Sequence, residues 1–287
     1  MPAATTHVEF ARDVFNHLSL EQQKGITDKS MYFLGSQGPD YFFFSRFMFL
    51  PGSLNKYGNL MHDEKVEEAI MFMDHYSEDI PALRSYFYGF LTHYSLDSTA
   101  HPLICSFADR EHQETGVPVS EAHFREEGEI DVYVLGRCGR SAKQYNVYTD
   151  LHISKENAKL LAQMYHQLFL SVYEQDVPEK QIYKTAAEVH FITKALSPSA
   201  AKFKLVYQAE KLAKIPHLIS GMMLENKNPD PAVLNLTHNE WRVPGYGTLT
   251  SRASFPELYD EAMAKAKHLI KKRTHSDFDR NFTGRPI

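Results

Sequence analysis

PALRSYFYGFLTHYSLDSTAHP, residues 81–102, decides the fold class because it has the pattern of one long buried helix. Aromatic and apolar side chains recur there at helical spacing, and three polar residues stand among them, four positions apart. Pro81 suits the first turn of a helix, whereas Pro102 disfavours helical backbone at the residue before it. We therefore predict a helix from about Pro81 to about His101 that lies in the core and carries a polar site, with either the end of the helix or a kink at His101.

The three polar residues of this helix are His93, Asp97 and His101, and each neighbouring pair lies one turn apart on one face. Each pair can therefore bind a single metal ion. His93 and His101 lie about 12 Å apart along the axis, and metal–ligand bonds of about 2.0–2.2 Å cannot bring both to one ion. Asp97 could serve two ions with one oxygen each. A lone buried histidine is more often a hydrogen-bonded core residue, but three polar groups on one stripe favour a metal site.

A second stripe repeats this spacing, with His123, Glu127 and Asp131 at i, i+4 and i+8. The histidine and the two carboxylates match a metal site with nitrogen and oxygen ligands. Glu126 and Glu129 lie on the same segment, so an acidic, solvated helix face is an alternative interpretation. Both interpretations stay open at the level of the sequence.

Three further residues earlier in the chain fit the same chemistry. His7 shares a face with apolar residues of the first predicted helix and is expected to point inward. Asp40 ends the turn GSQGPD, where a side chain can be aimed into a cleft, although it could instead be a helix N-cap. His62 is expected to begin the helix MHDEKVEEAI.

Length and composition indicate a globular protein. The chain has 287 residues, 43% of them hydrophobic, and a formal net charge of −5 with acids and bases interspersed. No basic stripe suggests a nucleic-acid partner. Cys105 and Cys138 are too few for a disulfide framework, and we expect both to be ordinary reduced thiols. Without a signal-like N-terminal stretch or a transmembrane segment, we expect a cytoplasmic protein. The sequence does not indicate the oligomeric state.

Apolar periodicity through most of the chain is helical, and alternating strands are hard to find. Helices are predicted at residues 6–18, 63–76, 81–101, 120–135, 154–175, 178–195, 198–213 and 254–273, and loops at 21–39, 104–117, 136–152 and 225–253. We expect one all-α domain over residues 1–287. Its motif-bearing core covers about 1–175, and a C-terminal helical extension covers about 176–287.

These motifs together resemble the zinc-dependent phospholipase C family and, more loosely, the related helical nucleases that use three zinc ions. The ordered set comprises His7, GPD (Asp40), His62, GFLTHYSLDSTAHP (His93, Asp97, His101) and a following H-x-x-x-E (His123, Glu127). The run G-x-x-x-H-x-x-x-D-x-x-x-H-P is fairly specific. The C-terminal NLTHNEWRVPGYG and SFPELYDEA are similar to the tail of the cytoplasmic branch of this family. The resemblance implies a single large multi-helix domain.

The resemblance also implies which residues hold zinc. One ion would be held by His62, His93, Asp97 and Asp40, a second by His7 with Asp97 as the bridge, and another by His101, His123 and Glu127. Asp40 resembles the general base of the family. Two or three zinc ions are expected, and other divalent transition metals could take their place.

Secreted members of the family use the mature N-terminal amine as a further ligand. Six residues precede His7 here, so we expect that ligand to be absent, and Asp131 is a candidate to replace it.

The implied function is metal-dependent hydrolysis of phosphoric esters, as a phosphodiesterase of phospholipase C type that uses a metal-activated water. The substrate would be a small phosphate ester or a phospholipid. The dipeptide His62-Asp63 leaves open a nucleotide phosphohydrolase of the HD type. A binding or scaffold protein stabilised by metal without turnover is the third interpretation.

Overall fold

The computed structural model describes residues 4–47, 50–225 and 227–287, and these residues are predominantly helical. The helices are α1 (Ala4–His17), α2 (Leu20–Lys24), α3 (Lys29–Gly35), α4 (Asn55–Asp63), α5 (Val66–Tyr76), α6 (Pro81–Thr115), α7 (Val119–Arg137), α8 (Lys155–Val172), α9 (Glu179–Ala195), α10 (Ala200–Ala213), α11 (Leu218–Gly221) and α12 (Phe255–Lys271). Short 3-10 segments span Gly38–Phe47, Val147–Thr149 and His275–Asp277. The all-α prediction is confirmed.

Strand structure in the described residues is limited to one small antiparallel pair. Strand β1 (Trp241–Arg242) pairs with β2 (Thr250–Ser251) inside the long predicted loop 225–253. Among the described residues, no helix has the length and apolar character needed to cross a membrane.

Helix α6 is the central element of the core. It packs against α3, α12, α7 and α1, and buried side chains such as Tyr86, Phe90 and Tyr94 point to more than one side of it. A helix that is apolar on several faces is enclosed by its neighbours. His93 and Asp97 of α6 are therefore almost fully buried.

The crossing of α3 and α6 depends on two glycines. A Cβ atom on Gly35 would lie 2.0 Å from the carbonyl oxygen of Tyr86, and one on Gly89 would lie 1.9 Å from that of Tyr32. Only hydrogen at both positions lets the two backbones meet. This contact brings the chain segment after α3, beginning at Ser36, directly onto α6.

Helix α6 continues past Pro102 to Thr115, so the predicted end at His101 and the predicted loop 104–117 were wrong. Proline removes one backbone donor and costs about 3 kcal/mol within a helix. The apolar face continues through Leu103, Ile104 and Ala108, which are all buried. Burial of these side chains outweighs the local penalty.

The predicted loop 21–39 also contains helices. Ser19 caps α2, and Asp28 caps α3 by accepting a hydrogen bond from the backbone N–H of Met31 at 3.0 Å. His62 was predicted to begin a helix, and this was wrong: it lies near the end of α4. The short helices α2 and α3, of five and seven residues, are easily missed because so few turns show little apolar periodicity.

The C-terminal part of the chain returns to the centre. Helix α12 packs along α6, and beyond it the buried ring of Phe282 lies 5.3 Å from the ring of His62 and 5.6 Å from that of His93. The backbone N–H of Phe282 donates to the carbonyl of His62 at 3.1 Å. This segment therefore covers histidines that come from the first half of the chain.

Candidate metal centre

Five buried residues from four segments meet at the centre of the fold, and we call them the inner group. They are His7 on α1, Asp40 in the 3-10 segment, His62 near the end of α4, and His93 and Asp97 on α6. Sequence separation between them reaches 90 residues, so only the packing of α1, α4 and the 3-10 segment around α6 brings them together.

Asp97 lies between the histidines of the inner group. Its Oδ1 is 3.3 Å from Nε2 of His7, and its Oδ2 is 3.1 Å from Nε2 of His93 and 4.0 Å from Nε2 of His62. Nε2 of His62 is also 3.3 Å from Oδ1 of Asp40. The two oxygens of Asp97 thus face different histidines, as a carboxylate that bridges two ions would.

Backbone carbonyls fix two of these rings. Nδ1 of His93 donates to the carbonyl of Ser36 at 3.0 Å, and Nδ1 of His62 donates to that of Gly58 at 2.7 Å. A carbonyl can only accept, so in a neutral ring the proton is on Nδ1 and the lone pair of Nε2 points at a carboxylate. Two lone pairs that face each other repel unless a cation lies between them. This arrangement of hydrogen bonds is the usual one for metal-binding histidines.

Burial and neighbouring charges shift the pKa values of the inner group in opposite directions. Burial lowers the pKa of His7 and His62, but the carboxylates of Asp97 and Asp40 outweigh it and raise both pKa values. Burial keeps the pKa of His93 below its usual value. Burial would also raise the pKa of Asp97, yet the facing histidines hold it well below its usual value. The ionised carboxylates favour bound positive charge.

A second set of ligand atoms, the outer group, comprises His101 on α6 with His123 and Glu127 on α7. Nε2 of His101 lies 3.0 Å from Nε2 of His123, and Oε1 of Glu127 lies 3.2 Å from Nε2 of His123 and 3.7 Å from Nε2 of His101. Cys105 also approaches: its sulfur and one nitrogen each of His101 and His123 lie within 4.8 Å of one another. The structure therefore separates His101 from His93, which belongs to the inner group.

Burial sets the direction of the pKa shift in the outer group only at His101. It lowers the pKa of His101 to about 4, with His123 as a further cause. Glu127 outweighs burial at His123 and raises its pKa to about 10. Burial would raise the pKa of Glu127, but the charge of His123 contributes to lowering it to about 2. The donor set of both groups, imidazole nitrogen with carboxylate oxygen, is one that zinc accepts.

Asp131 is placed differently from the other candidate ligands. Its Oδ1 accepts hydrogen bonds from the backbone N–H of Thr6 at 2.8 Å and from the Thr6 hydroxyl at 2.6 Å. It belongs to none of the possible metal-binding groups found among the described residues. Burial raises its pKa to about 7. Asp131 thus contacts the residue that precedes His7.

The expectation that an N-terminal amine ligand is absent concerns residues 1–3, which lie outside the described residues.

A cavity of about 350 Å³ opens onto both groups. Its lining residues outside the two groups are Phe43, Asn55, Asn59, Asp63, Phe124 and Thr283. The neutral polar residues of this lining, Asn55, Asn59 and Thr283, were not predicted from the sequence. Asn55 and Asn59 lie four residues apart on α4, and Asn59 lies three before His62, so helical spacing from a candidate ligand could have found both.

The fold and the site define a helical protein with buried groups of histidines and carboxylates that could hold metal ions. A family profile described as zinc dependent phospholipase C matches residues 6–175, which is more than half of the chain and contains the inner and outer groups. The chain therefore belongs to the zinc-dependent phospholipase C family, and the resemblance inferred from its motifs is confirmed. No curated protein and no solved structure matches it.

Proposed function

We propose that the protein is a zinc-dependent phosphodiesterase of phospholipase C type that hydrolyses a small phosphate ester or a phospholipid. The observation that carries the proposal is the position of Asp97, whose two oxygens face His7 and His93 at 3.3 and 3.1 Å. A shared carboxylate suits two-metal hydrolysis, because it can hold two ions close enough to act on one phosphoryl group. Membership of the family supports the same function.

The ligand roles proposed here follow the two groups. His62, His93 and Asp97 would hold one ion, and His7 would hold its neighbour with Asp97 as the bridge. Asp40 would be either a further ligand of the first ion or the base. The outer group would hold a further ion, so two or three zinc ions are expected per chain.

Bound zinc supplies Lewis acidity, which lowers the pKa of water and neutralises charge on phosphoryl oxygens. The chain's own residues then bind and orient the reactants. Asn55, Asn59 and Thr283 offer hydrogen-bonding groups at the cavity wall, and Phe43 and Phe124 exclude water on its apolar sides. Asp40 lies buried beside His62 and can accept a proton from the attacking water.

Asp40→Asn distinguishes a base from a ligand. If Asp40 is the base, the turnover rate falls about 10²- to 10⁴-fold, while the zinc content of the purified protein stays that of wild type. Metal analysis and the rate of phosphodiester hydrolysis on the same preparation measure both quantities. Asp63→Asn, at the wall of the same cavity, is the matched control and should keep both. Loss of zinc with Asp40→Asn would instead identify Asp40 as a ligand.

The function itself is tested on protein purified without chelator. We expect at least one bound transition metal per chain and hydrolysis of one of three substrates: phosphatidylcholine, bis-nitrophenyl phosphate or a nucleotide. Less than one metal per chain contradicts the metal centre. Bound zinc without turnover on any phosphodiester favours the scaffold interpretation.

The HD-type alternative receives less support. It requires the adjacent pair His62 and Asp63 to bind metal together, but Asp63 accepts a hydrogen bond from Nδ2 of Asn281 at 3.2 Å. Asp63 is also absent from the possible metal-binding groups of the described residues.

A further inference from the structure

Cys105 lies beside the outer group. It lies on α6 one turn after His101, so both side chains project from the same face of the helix. Its sulfur lies within 4.8 Å of a ring nitrogen of His101 and of His123. The other cysteine of the chain, Cys138, occurs in none of the possible metal-binding groups of the described residues.

The outer group without Cys105 offers three ligand atoms, two imidazole nitrogens and one carboxylate oxygen. Zinc prefers four ligands in a tetrahedron and binds thiolate sulfur at about 2.3 Å and imidazole nitrogen at about 2.0–2.1 Å. We propose that the thiolate of Cys105 is the fourth ligand of the outer ion. On binding, the thiol proton passes to solvent and a sulfur–metal bond forms.

Four protein ligands make this a closed site, and closed zinc sites are structural, whereas catalytic ones keep a position open for water. The outer ion would therefore join α6, through His101 and Cys105, to α7, through His123 and Glu127. Hydrolysis would then depend on the inner group. This inference rests on the proposed metal centre but not on turnover.

Cobalt(II) substitution tests the proposal because a thiolate ligand gives an intense near-ultraviolet charge-transfer band that imidazole and carboxylate ligands do not. We expect the band in the cobalt-loaded wild type and in Cys138→Ser, and its loss in Cys105→Ser while the visible cobalt bands persist. Circular dichroism verifies that each variant keeps its helices. Zinc affinity of the outer site should fall at least about tenfold in Cys105→Ser, since even indirect contacts to ligands contribute that much.

The outcomes separate this inference from the proposed function. Cobalt binding without the charge-transfer band, or a band that survives in Cys105→Ser, overturns the role of Cys105 alone. A wild type that binds neither cobalt nor zinc overturns the metal centre together with it.

An independent observation concerns α10, a helix whose side chains are almost all outside the core. Its buried residue is Glu210, whereas Leu205 and Leu212 are 73% and 83% exposed. These leucines lie seven residues apart, so they share one face of the helix, opposite the side that Glu210 occupies. Exposed leucines paired in this way form an apolar strip on the surface.

Lysines flank the apolar strip. Lys204, Lys211 and Lys214 are exposed, and the single acid of α10, Glu210, is turned inward, where it accepts hydrogen bonds from the backbone N–H of Ile219 at 2.7 Å and the hydroxyl of Ser220 at 2.5 Å. The exposed face of α10 is therefore positive in a chain whose formal net charge is −5.

Helix α10 is linked through one intervening helix to the helix that lines part of the cavity. Helix α10 packs on α11, and α11 packs on α7, which carries His123 and Phe124 at the cavity lining. We propose that α10 docks on an anionic phospholipid surface, with Leu205 and Leu212 inserted among the acyl chains and the lysines at the head groups. The choice of a lipid surface rests on the proposed function, which includes a phospholipid as a possible substrate.

Cosedimentation with vesicles tests this without any measurement of turnover. We expect binding to vesicles of phosphatidylcholine with phosphatidylglycerol, and much weaker binding to phosphatidylcholine alone. Replacing Lys204 or Lys211 by Gln should weaken binding about fivefold each, since a lysine near an anionic surface contributes about 1 kcal/mol. The double variant Leu205→Asn, Leu212→Asn should lose it. Leu20→Asn, 77% exposed on α2, is the matched control.

Three results overturn the docking proposal. One is equal binding of wild type and the leucine double variant. Another is a dimer in solution that the double variant abolishes, which would assign the strip to a second copy of the chain. The third is binding to duplex DNA but not to anionic vesicles.

Discussion

Gly38 has no side chain, and this lets the segment that carries Asp40 pack closely against His93. Gly38 has φ +51, and a Cβ atom there would lie 2.2 Å from Cδ2 of His93. The ring of His93 is held in place by the hydrogen bond that its Nδ1 donates to the carbonyl of Ser36. The geometry of the inner group thus depends on a residue that binds nothing itself.

We expect Gly38→Ala to weaken zinc binding about 10- to 100-fold, the usual effect of disturbing a contact that orients a ligand. The methyl group must displace His93 or the 3-10 segment, and the positive φ adds strain. Competition with a chromophoric chelator measures the affinity. Gly136→Ala on α7, where a Cβ atom would meet nothing within 4 Å, should match wild type. Unchanged affinity in Gly38→Ala would mean that the ring and the turn adjust freely.

Helix α7 connects two parts of the site through residues one turn apart. Glu127 belongs to the outer group. Asp131 accepts hydrogen bonds from the backbone N–H and the hydroxyl of Thr6 on α1. Because His7 follows Thr6 directly, this contact fixes the helix that supplies an inner-group histidine. We expect Asp131 to act as a positioning residue and not as a ligand.

Asp131→Ala leaves the N–H of Thr6 without its acceptor, and should lower the free energy of unfolding by about 1.5–3 kcal/mol. Zinc affinity should fall with it as His7 loses its fixed position. Asp131→Asn keeps one acceptor oxygen for Thr6 and should retain the zinc content of wild type. Urea denaturation and metal analysis measure the two effects. Zinc loss in Asp131→Asn would show instead that the carboxylate is a ligand.

Spacing within a single helix is what the sequence makes predictable. The pairs His93–Asp97 and His123–Glu127 follow from four-residue periodicity, and each pair does face a common point. The course of α6 beyond Pro102 was not predictable, since it depends on the burial of Leu103 and its neighbours by other elements. The approach of Cys105 to His123 likewise depends on how α7 packs on α6, which no local pattern encodes.

At the scale of the whole molecule, Asp74 holds the C-terminal segment to the first half of the chain. Asp74 lies on α5. Its carboxylate accepts a hydrogen bond from Nη1 of Arg84 on α6 at 2.5 Å and another from Nε of Arg273, just after α12, at 2.6 Å. Burial acts to raise the pKa of Asp74, but Arg273 and Arg84 hold it below its usual value. The carboxylate of Asp74 therefore joins α5 to α6 and to the segment after α12.

The lowered pKa gives this contact a definite pH dependence. A carboxyl group whose pKa is lower in the folded state adds stability above its unfolded pKa of about 3.9 and loses it as pH falls through the folded pKa. Asp74→Asn should cost about 1–3 kcal/mol at neutral pH, and the difference from wild type should shrink below about pH 4. Denaturation between about pH 7 and pH 3 measures it, with exposed Asp79→Asn as the control. A difference independent of pH would exclude the ion pairs as its source.

The cavity lining carries Asp40, Asp63, Asp97 and Glu127 but, among the described residues, no lysine or arginine. Bound cations would offset the charge of these carboxylates and so strengthen the attraction of the pocket for a phosphate anion. Occupancy by metal and occupancy by phosphate are therefore thermodynamically coupled, and the coupling is reciprocal. If zinc binds here as proposed, a phosphate ester held in the cavity would tighten zinc binding by the same factor by which zinc tightens binding of the ester, so a bound ester would protect the protein against loss of its metal.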